Sequence, residues 1–179
     1  MTTHYPYHYD ADAFVESDAT SLFQHLDDPA RLSAHMSRSS MQTGGMRMNI
    51  ELDDARGRAL GSHIRLSGSF LGIGVFLDEV VTVREPPSRK QWEVVGKPRL
   101  LVVGGYRMGF EITPAAKGSR LCVFIDYDLP KGAITRWLGY WLSGYYARWC
   151  TQQMLNDSVA HFARKSAPEG YTATEHSTV

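Results

Sequence analysis

The sequence lacks the features by which several classes of protein are usually identified. Its 179 residues include only two cysteines, Cys122 and Cys150, which form no CxxC pair, so a disulfide framework is not expected. Lysine and arginine together number 19 and aspartate and glutamate also number 19, which leaves no net charge. This balance argues against a nucleic-acid-binding protein, because such proteins depend on clustered basic side chains.

Membrane and metal signals are missing as well. No run approaches the ~20 apolar residues that span a bilayer, and the N-terminal sequence MTTHYPYHYD has no apolar signal segment. The seven histidines show no HxH or HExxH spacing, so we expect neither a metal site nor a cofactor. These absences predict a soluble, cytoplasmic protein.

Hydrophobic residues make up 43% of the chain, and their spacing changes along it. After an extended N-terminal segment, helical spacing predicts two short helices, over residues 18–27 and 29–36. From residue 46 to residue 129, alternating apolar and polar residues predict a meander of about six strands, and the N-terminal segment could add a seventh. Helical spacing then continues to about Lys165. We expect residues 1–165 to form a single domain, and residues 166–179 to be a disordered tail.

This order of elements resembles the START-like (SRPBCC) superfamily, in particular its polyketide cyclase/dehydrase and lipid-transport branch. The resemblance covers residues 7–165. The matching segments are Ser17-Asp18-Ala19, residues 26–32 (LDDPARL), residues 85–89 (EPPSR) and the hairpin of residues 110–120. It implies an α+β helix-grip fold, in which a curved antiparallel sheet of six or seven strands wraps around a long C-terminal helix, with two short helices after the first strand. It also implies an apolar cavity between sheet and helix, and it specifies no reaction.

The alternation of side chains along each strand indicates which residues face this cavity. Glu79 has the same parity as the apolar residues Leu77 and Val81. A carboxylate on that face loses hydration, which raises its pKa, unless a bulge or a position at the sheet edge turns it to solvent. On this face and on the last helix, the candidate ligand-binding residues are Phe70, Leu77, Glu79, Trp92, Tyr106, Met108, Tyr127, Trp141 and Tyr145.

Three functions fit these features. The leading one is the carriage or sequestration of a hydrophobic small molecule, such as a lipid or polyketide, without catalysis. The second is a cyclase or dehydratase in which Glu79 and a tyrosine transfer protons. The third is an interaction module, because residues 137–146 (WLGYWLSGYY) carry aromatic side chains on more than one helix face. Core packing explains most of them, and the surplus could contact a membrane surface peripherally or a second copy of the chain in a homodimer.

Overall fold

The computed structural model describes residues 4–29, 47–70, 73–100 and 102–166. The elements in these ranges are β1 (Tyr7–Val15), α1 (Ala19–Leu26), β2 (Arg47–Leu52), β3 (His63–Phe70), β4 (Ile73–Glu85), β5 (Arg89–Arg99), β6 (Tyr106–Ala115), β7 (Gly118–Tyr127) and α2 (Ala133–Ser166). The second short helix is expected over residues 29–36, and from residue 30 onward it lies outside the described residues. The expected tail lies outside them from residue 167 onward.

The strands form one antiparallel sheet in the order β1-β7-β6-β5-β4-β3-β2. From β2 to β7 each strand pairs with the next along the chain, which is the meander that the alternating pattern predicts. β1 lies at the far edge beside β7, where Tyr7 pairs with Tyr127 and Val15 pairs with Ser119. The N-terminal extended segment is therefore the seventh strand, and the predicted α+β helix-grip class is confirmed.

The first helix has a strong N-terminal signal in the sequence and a buried apolar face. The Asp18 carboxylate accepts a hydrogen bond from the Ser21 amide at 2.9 Å, which caps the first turn. Leu22, Phe23 and Leu26 are buried, and the helix packs against β6, β7 and α2. The helical spacing that predicts α1 therefore also identifies the face that it buries.

A buried ion network connects the end of α1 to the sheet. The Lys90 Nζ donates to Asp27 Oδ1 at 2.7 Å and to the Asp27 carbonyl oxygen at 3.1 Å. Arg84 donates to Asp27 Oδ2 at 2.8 Å. Burial raises the pKa of Asp27, but the hydrogen bonds and charges of the two cations outweigh it and hold that pKa below its usual value. The network fixes the position at which α1 meets β4 and β5.

The second helix lies mainly against β1 and β7, with a stripe of small residues toward the sheet. Gly139, Ser143, Ala147 and Thr151 recur every fourth residue, and all of them are buried. At the first of these positions a Cβ atom would lie 2.7 Å from the Val102 carbonyl oxygen. The close approach of the helix to its neighbours therefore requires glycine at this point.

The prediction that Trp141 and Tyr145 line the space between helix and sheet is wrong. The two residues are 67% and 73% exposed. Both are offset by two residues, about 200° around the helix, from small residues that face the sheet. The small side chains occupy the interface because the helix approaches closely there, and the bulky aromatic rings lie on the outer face.

Two strands begin later than the alternation predicts. Leu60, whose apolar side chain continues the alternating pattern toward the N-terminus, is 71% exposed and precedes β3. A turn ends there, in which the Asp53 carboxylate accepts hydrogen bonds from the Ser62 hydroxyl at 2.6 Å and the His63 amide at 2.8 Å. β6 begins at Tyr106, although Leu100 and Val102 before it continue the alternating pattern. In both cases, apolar side chains in the loop before the strand continue the alternation of apolar and polar residues beyond the hydrogen-bonded part.

Buried apolar side chains form two clusters on the inner face of the sheet. The larger cluster joins α1 and α2 to β1, β5, β6 and β7. The smaller one, here called the β3–β5 cluster, consists of Ile64, Leu66, Leu77, Val81 and Val94. Leu100 and Tyr106 pack against both. The β3–β5 cluster is thus an apolar surface beside the main helix-packed core.

Candidate functional site

Glu79 lies within the β3–β5 cluster. It pairs with Ile64 on β3 and with Val94 on β5, and Leu77 and Val81 flank it on the same face of β4. Its side chain is buried, with 7% of the residue exposed. Glu79 therefore faces inward, although the pairing of β4 with β5 is irregular on both sides of it.

Two aromatic side chains form hydrogen bonds with the Glu79 carboxylate. The Tyr106 hydroxyl, on β6, donates to Oε1, and the Trp92 side chain, on β5, forms the other bond. Burial raises the pKa of Glu79 to about 7, while these hydrogen bonds and the charge of Lys90 lower it in part. Glu79 consequently changes protonation near neutral pH, where it can both accept and donate a proton.

The hydroxyl that contacts Glu79 is itself held in the protonated state. Burial raises the pKa of Tyr106 well above its usual value, and the negative charge of Glu79 raises it further. Tyr106 is therefore a fixed O–H donor to the carboxylate over the physiological pH range. It lies directly opposite Tyr127 in the pairing of β6 with β7.

Helix α2 contributes two more titratable groups to the surroundings of Glu79. Tyr146 and Cys150 are one helical turn apart and their side chains are hydrogen-bonded to each other. Burial raises the pKa of Cys150 to about 12. The pKa of Tyr146 is also raised, first by the charge of the neighbouring Cys150 and then by burial. The charge of Glu79 raises both values. Cys150 stays a thiol at neutral pH, so it does not supply a nucleophilic thiolate.

Most of the candidate residues chosen from the sequence lie together on the inner face. These are Leu77, Glu79, Trp92, Tyr106, Met108 and Tyr127. The side chain of Phe70 lies outside the part of the chain that the structure describes. Trp141 and Tyr145 are apart from the others, on the outer face of α2. The residues brought together combine apolar surface with one buried carboxylate and tyrosine hydroxyls.

Sequence reasoning missed Tyr146 and Cys150. The spacing that could have identified them is the small-residue stripe of α2, because Tyr146 directly precedes Ala147 and Cys150 directly precedes Thr151. Residues next to a buried stripe lie at its edge, where longer side chains can reach the sheet. We refer to Glu79, Tyr106, Tyr146 and Cys150 as the Glu79 cluster.

A groove of about 460 Å³ lies at one end of the sheet, near the connections that precede β6 and α2. The Tyr5 hydroxyl donates to Glu93 Oε1 at 2.8 Å there, and the Tyr5 ring lies 5.9 Å from the Arg107 guanidinium carbon. Burial and the hydrogen bond to Glu93 raise the pKa of Tyr5. Lys97, Asp128 and Lys131 also line this groove, so its walls carry charges of both signs, unlike the apolar surroundings of Glu79.

Metal-binding and membrane-spanning features do not occur within the described ranges. No group of three or more His, Cys, Asp or Glu side chains arranged to hold a metal ion is found among the described residues. No helix within these ranges is both long and apolar enough to cross a bilayer.

Comparison with known proteins gives matches at the level of structure. No family model and no curated protein sequence matches the chain. Ara h 8.0201 superposes with a TM-score of 0.60 at 9% identity, over 88% of this chain and 98% of that one. A norcoclaurine synthase of Thalictrum superposes with a TM-score of 0.61 at 11% identity, over 90% and 96%. The di-domain ARO/CYC StfQ of the steffimycin biosynthetic pathway gives a TM-score of 0.61 at 11% identity, over 89% of this chain and 52% of that chain.

These identities are low, so the likeness is one of fold. It agrees with the seven-stranded antiparallel sheet and the long C-terminal helix described above. The chain therefore has a helix-grip fold, in agreement with these solved structures.

Proposed function

We propose that the protein binds a hydrophobic small molecule, such as a lipid or a polyketide, between the sheet and α2. The observation that supports this most strongly is a buried carboxylate, hydrogen-bonded to Tyr106, within the apolar β3–β5 cluster. Ligand sites are typically apolar surfaces with a few polar groups that orient the ligand. In this proposal residues 1–165 form one carrier domain that acts in the cytoplasm.

The Glu79 carboxyl would select the polar group of such a ligand. When protonated it can donate a hydrogen bond to a carbonyl, and when ionised it can accept one from a hydroxyl or an amine. A buried polar group that loses its partner without a replacement destabilises the complex. A ligand that displaces Tyr106 from Glu79 must therefore supply a hydrogen-bonding group of its own, while its apolar part packs on residues such as Leu66 and Leu77.

A second candidate function is that of a cyclase or dehydratase acting on a polyketide-like substrate. It is favoured by the pKa of Glu79, which burial raises to about 7. A general acid–base group works best when its pKa is close to the working pH. Glu79 would remove a proton from a carbon beside a carbonyl and return it to a departing β-hydroxyl, so that a double bond forms and water leaves. Tyr106 would position the carboxylate through its hydrogen bond.

Binding of a neutral fluorescent probe, N-phenyl-1-naphthylamine, tests the carrier function. We expect saturable binding whose affinity changes at least about threefold between about pH 5 and about pH 8, because Glu79 titrates in that interval. Glu79→Gln should remove this pH dependence. Phe76→Leu, on the exposed face of β4, is the matched control and should bind like the wild type.

Absence of saturable binding, or the same pH dependence in Glu79→Gln, would contradict the carrier proposal. The enzymatic alternative has a separate readout. A β-hydroxy carbonyl compound incubated with the protein should lose one water, seen by mass spectrometry, and Glu79→Gln should abolish the loss while the fold is kept. Equal product with the wild type, the Glu79→Gln variant and buffer would exclude Glu79 as the acid–base group for that substrate.

A further inference from the structure

The N-terminal half of α2 carries large exposed aromatic side chains. Trp137, Tyr140, Trp141 and Tyr145 are 68%, 68%, 67% and 73% exposed, and we call them the aromatic face. Three of them are spaced four residues apart, so they form a continuous stripe on the helix surface. This stripe lies opposite the small residues that contact the sheet.

The aromatic face is large for a monomer surface. With roughly 200 Å² for each side chain and two-thirds of each exposed, it presents about 550 Å² of aromatic surface. That is near the upper end for the largest apolar patch on a monomeric protein. It is smaller than the ~800 Å² that each partner usually buries in a stable protein–protein interface.

The chain around the aromatic face is basic, although the whole protein has no net charge. Between Asp128 and Asp157 no acidic residue occurs in the sequence. Arg136 and Arg148 lie in the part of that interval that belongs to α2, and both are exposed. Aromatic surface and unbalanced positive charge are therefore concentrated in the same half of the helix.

We propose that the aromatic face binds the surface of an anionic lipid bilayer. Tryptophan and tyrosine are favoured at the level of the lipid headgroups, because their rings have an apolar body and a polar edge. The exposed basic side chains add electrostatic attraction to acidic headgroups. A symmetric dimer would place this face against its own copy, where Arg148 would meet no carboxylate of the helix to offset it.

The composition of α2 also indicates how the helix meets the bilayer. Farther along the helix, Asn156 and Asp157 are exposed and polar, whereas the exposed aromatic residues end at Tyr145. The first turns of α2 therefore enter the interface, and the later turns stay in water. The aromatic face does not lie between α2 and the sheet, so binding to the bilayer does not depend on what occupies the inner face of the sheet.

Co-sedimentation with lipid vesicles tests the proposal. The wild type should bind phosphatidylcholine vesicles containing about 30% phosphatidylserine more tightly than pure phosphatidylcholine vesicles, and salt should weaken the binding. Trp141→Ala should lower the affinity about tenfold, because a large ring no longer enters the interface. Arg148→Gln should lower it about fivefold. Phe76→Ala removes an exposed aromatic ring from the sheet and should leave the binding unchanged.

Several results would overturn the proposal. These are no binding to the anionic vesicles, equal binding to neutral and anionic vesicles, or wild-type binding by Trp141→Ala. A dimer in sedimentation equilibrium that Trp141→Ala converts to a monomer would assign the face to a second copy of the chain instead. Circular dichroism verifies that each variant is folded. Probe binding by Trp141→Ala should match the wild type, so failure of membrane binding is distinguishable from failure of the carrier function.

Discussion

The burial of Glu79 should make the stability of the protein depend on pH in a way that one substitution reveals. Burial raises its pKa to about 7 in the folded protein, from a usual value of 4.5. The folded state thus binds this proton more tightly than the unfolded state does. The resulting stabilisation is fully present below about pH 4.5 and is lost as the pH rises through about 7.

The size of the effect follows from the shift in pKa. One pKa unit corresponds to about 1.4 kcal/mol, so the shift from 4.5 to about 7 is worth about 3 kcal/mol in total. Most of this falls between about pH 5 and about pH 8, since the unfolded state is already largely ionised at the lower limit. Above that interval the folded protein contains an ionised carboxylate in apolar surroundings.

Urea unfolding of the wild type and of Glu79→Gln over this pH interval measures the effect. Other titrating groups contribute equally to both proteins, so the difference between their unfolding free energies isolates Glu79. Relative to the wild type, Glu79→Gln should gain about 2 to 3 kcal/mol from about pH 5 to about pH 8. Glu51→Gln, an exposed position on β2, is the matched control for loss of a carboxylate. A difference that stays constant within about 0.5 kcal/mol, or that falls with rising pH, would refute the reasoning.

Two predictions concern the scaffold. Lys90→Met leaves the buried Asp27 carboxylate without one of its two cations, so it should lower the free energy of unfolding in urea by about 3 kcal/mol. The double variant Lys90→Met/Asp27→Leu should recover much of this loss. No recovery would contradict the account of the ion network. Gly109→Ala would place a Cβ 2.6 Å from the Lys90 carbonyl oxygen and 2.7 Å from the Phe124 ring. It should cost about 2 kcal/mol in thermal unfolding, and an unchanged melting temperature would show that the strands relax freely.

The strand pattern of the sequence identifies the inner face of the sheet well. Parity alone puts Glu79 beside Leu77 and Val81, and the structure has the same arrangement because β4 keeps its pleat across these positions. The first helix is also predictable, since Asp18 caps it and its apolar spacing marks the buried side. Local physical chemistry determines these features, so one sequence is enough to recognise them.

The orientation of α2 could not be predicted in the same way. Hydrophobicity favours burial of Trp141 and Tyr145, but the distance between helix and sheet is set by tertiary packing, and at that distance Ser143 and Ala147 fit. For the same reason Tyr146 and Cys150 were not recognised as neighbours of Glu79. The apolar character of a helix face does not determine how closely that face approaches the sheet.

Native mass spectrometry of the protein, purified from cells without detergent, tests the central claim most directly. If the inner face around Glu79 binds a hydrophobic small molecule, the wild type should carry an additional mass that organic solvent extracts as an apolar compound with a hydrogen-bonding group. Glu79→Gln should carry less of it. A wild-type protein that shows only the mass of its chain, even after incubation with a total lipid extract, would contradict the claim.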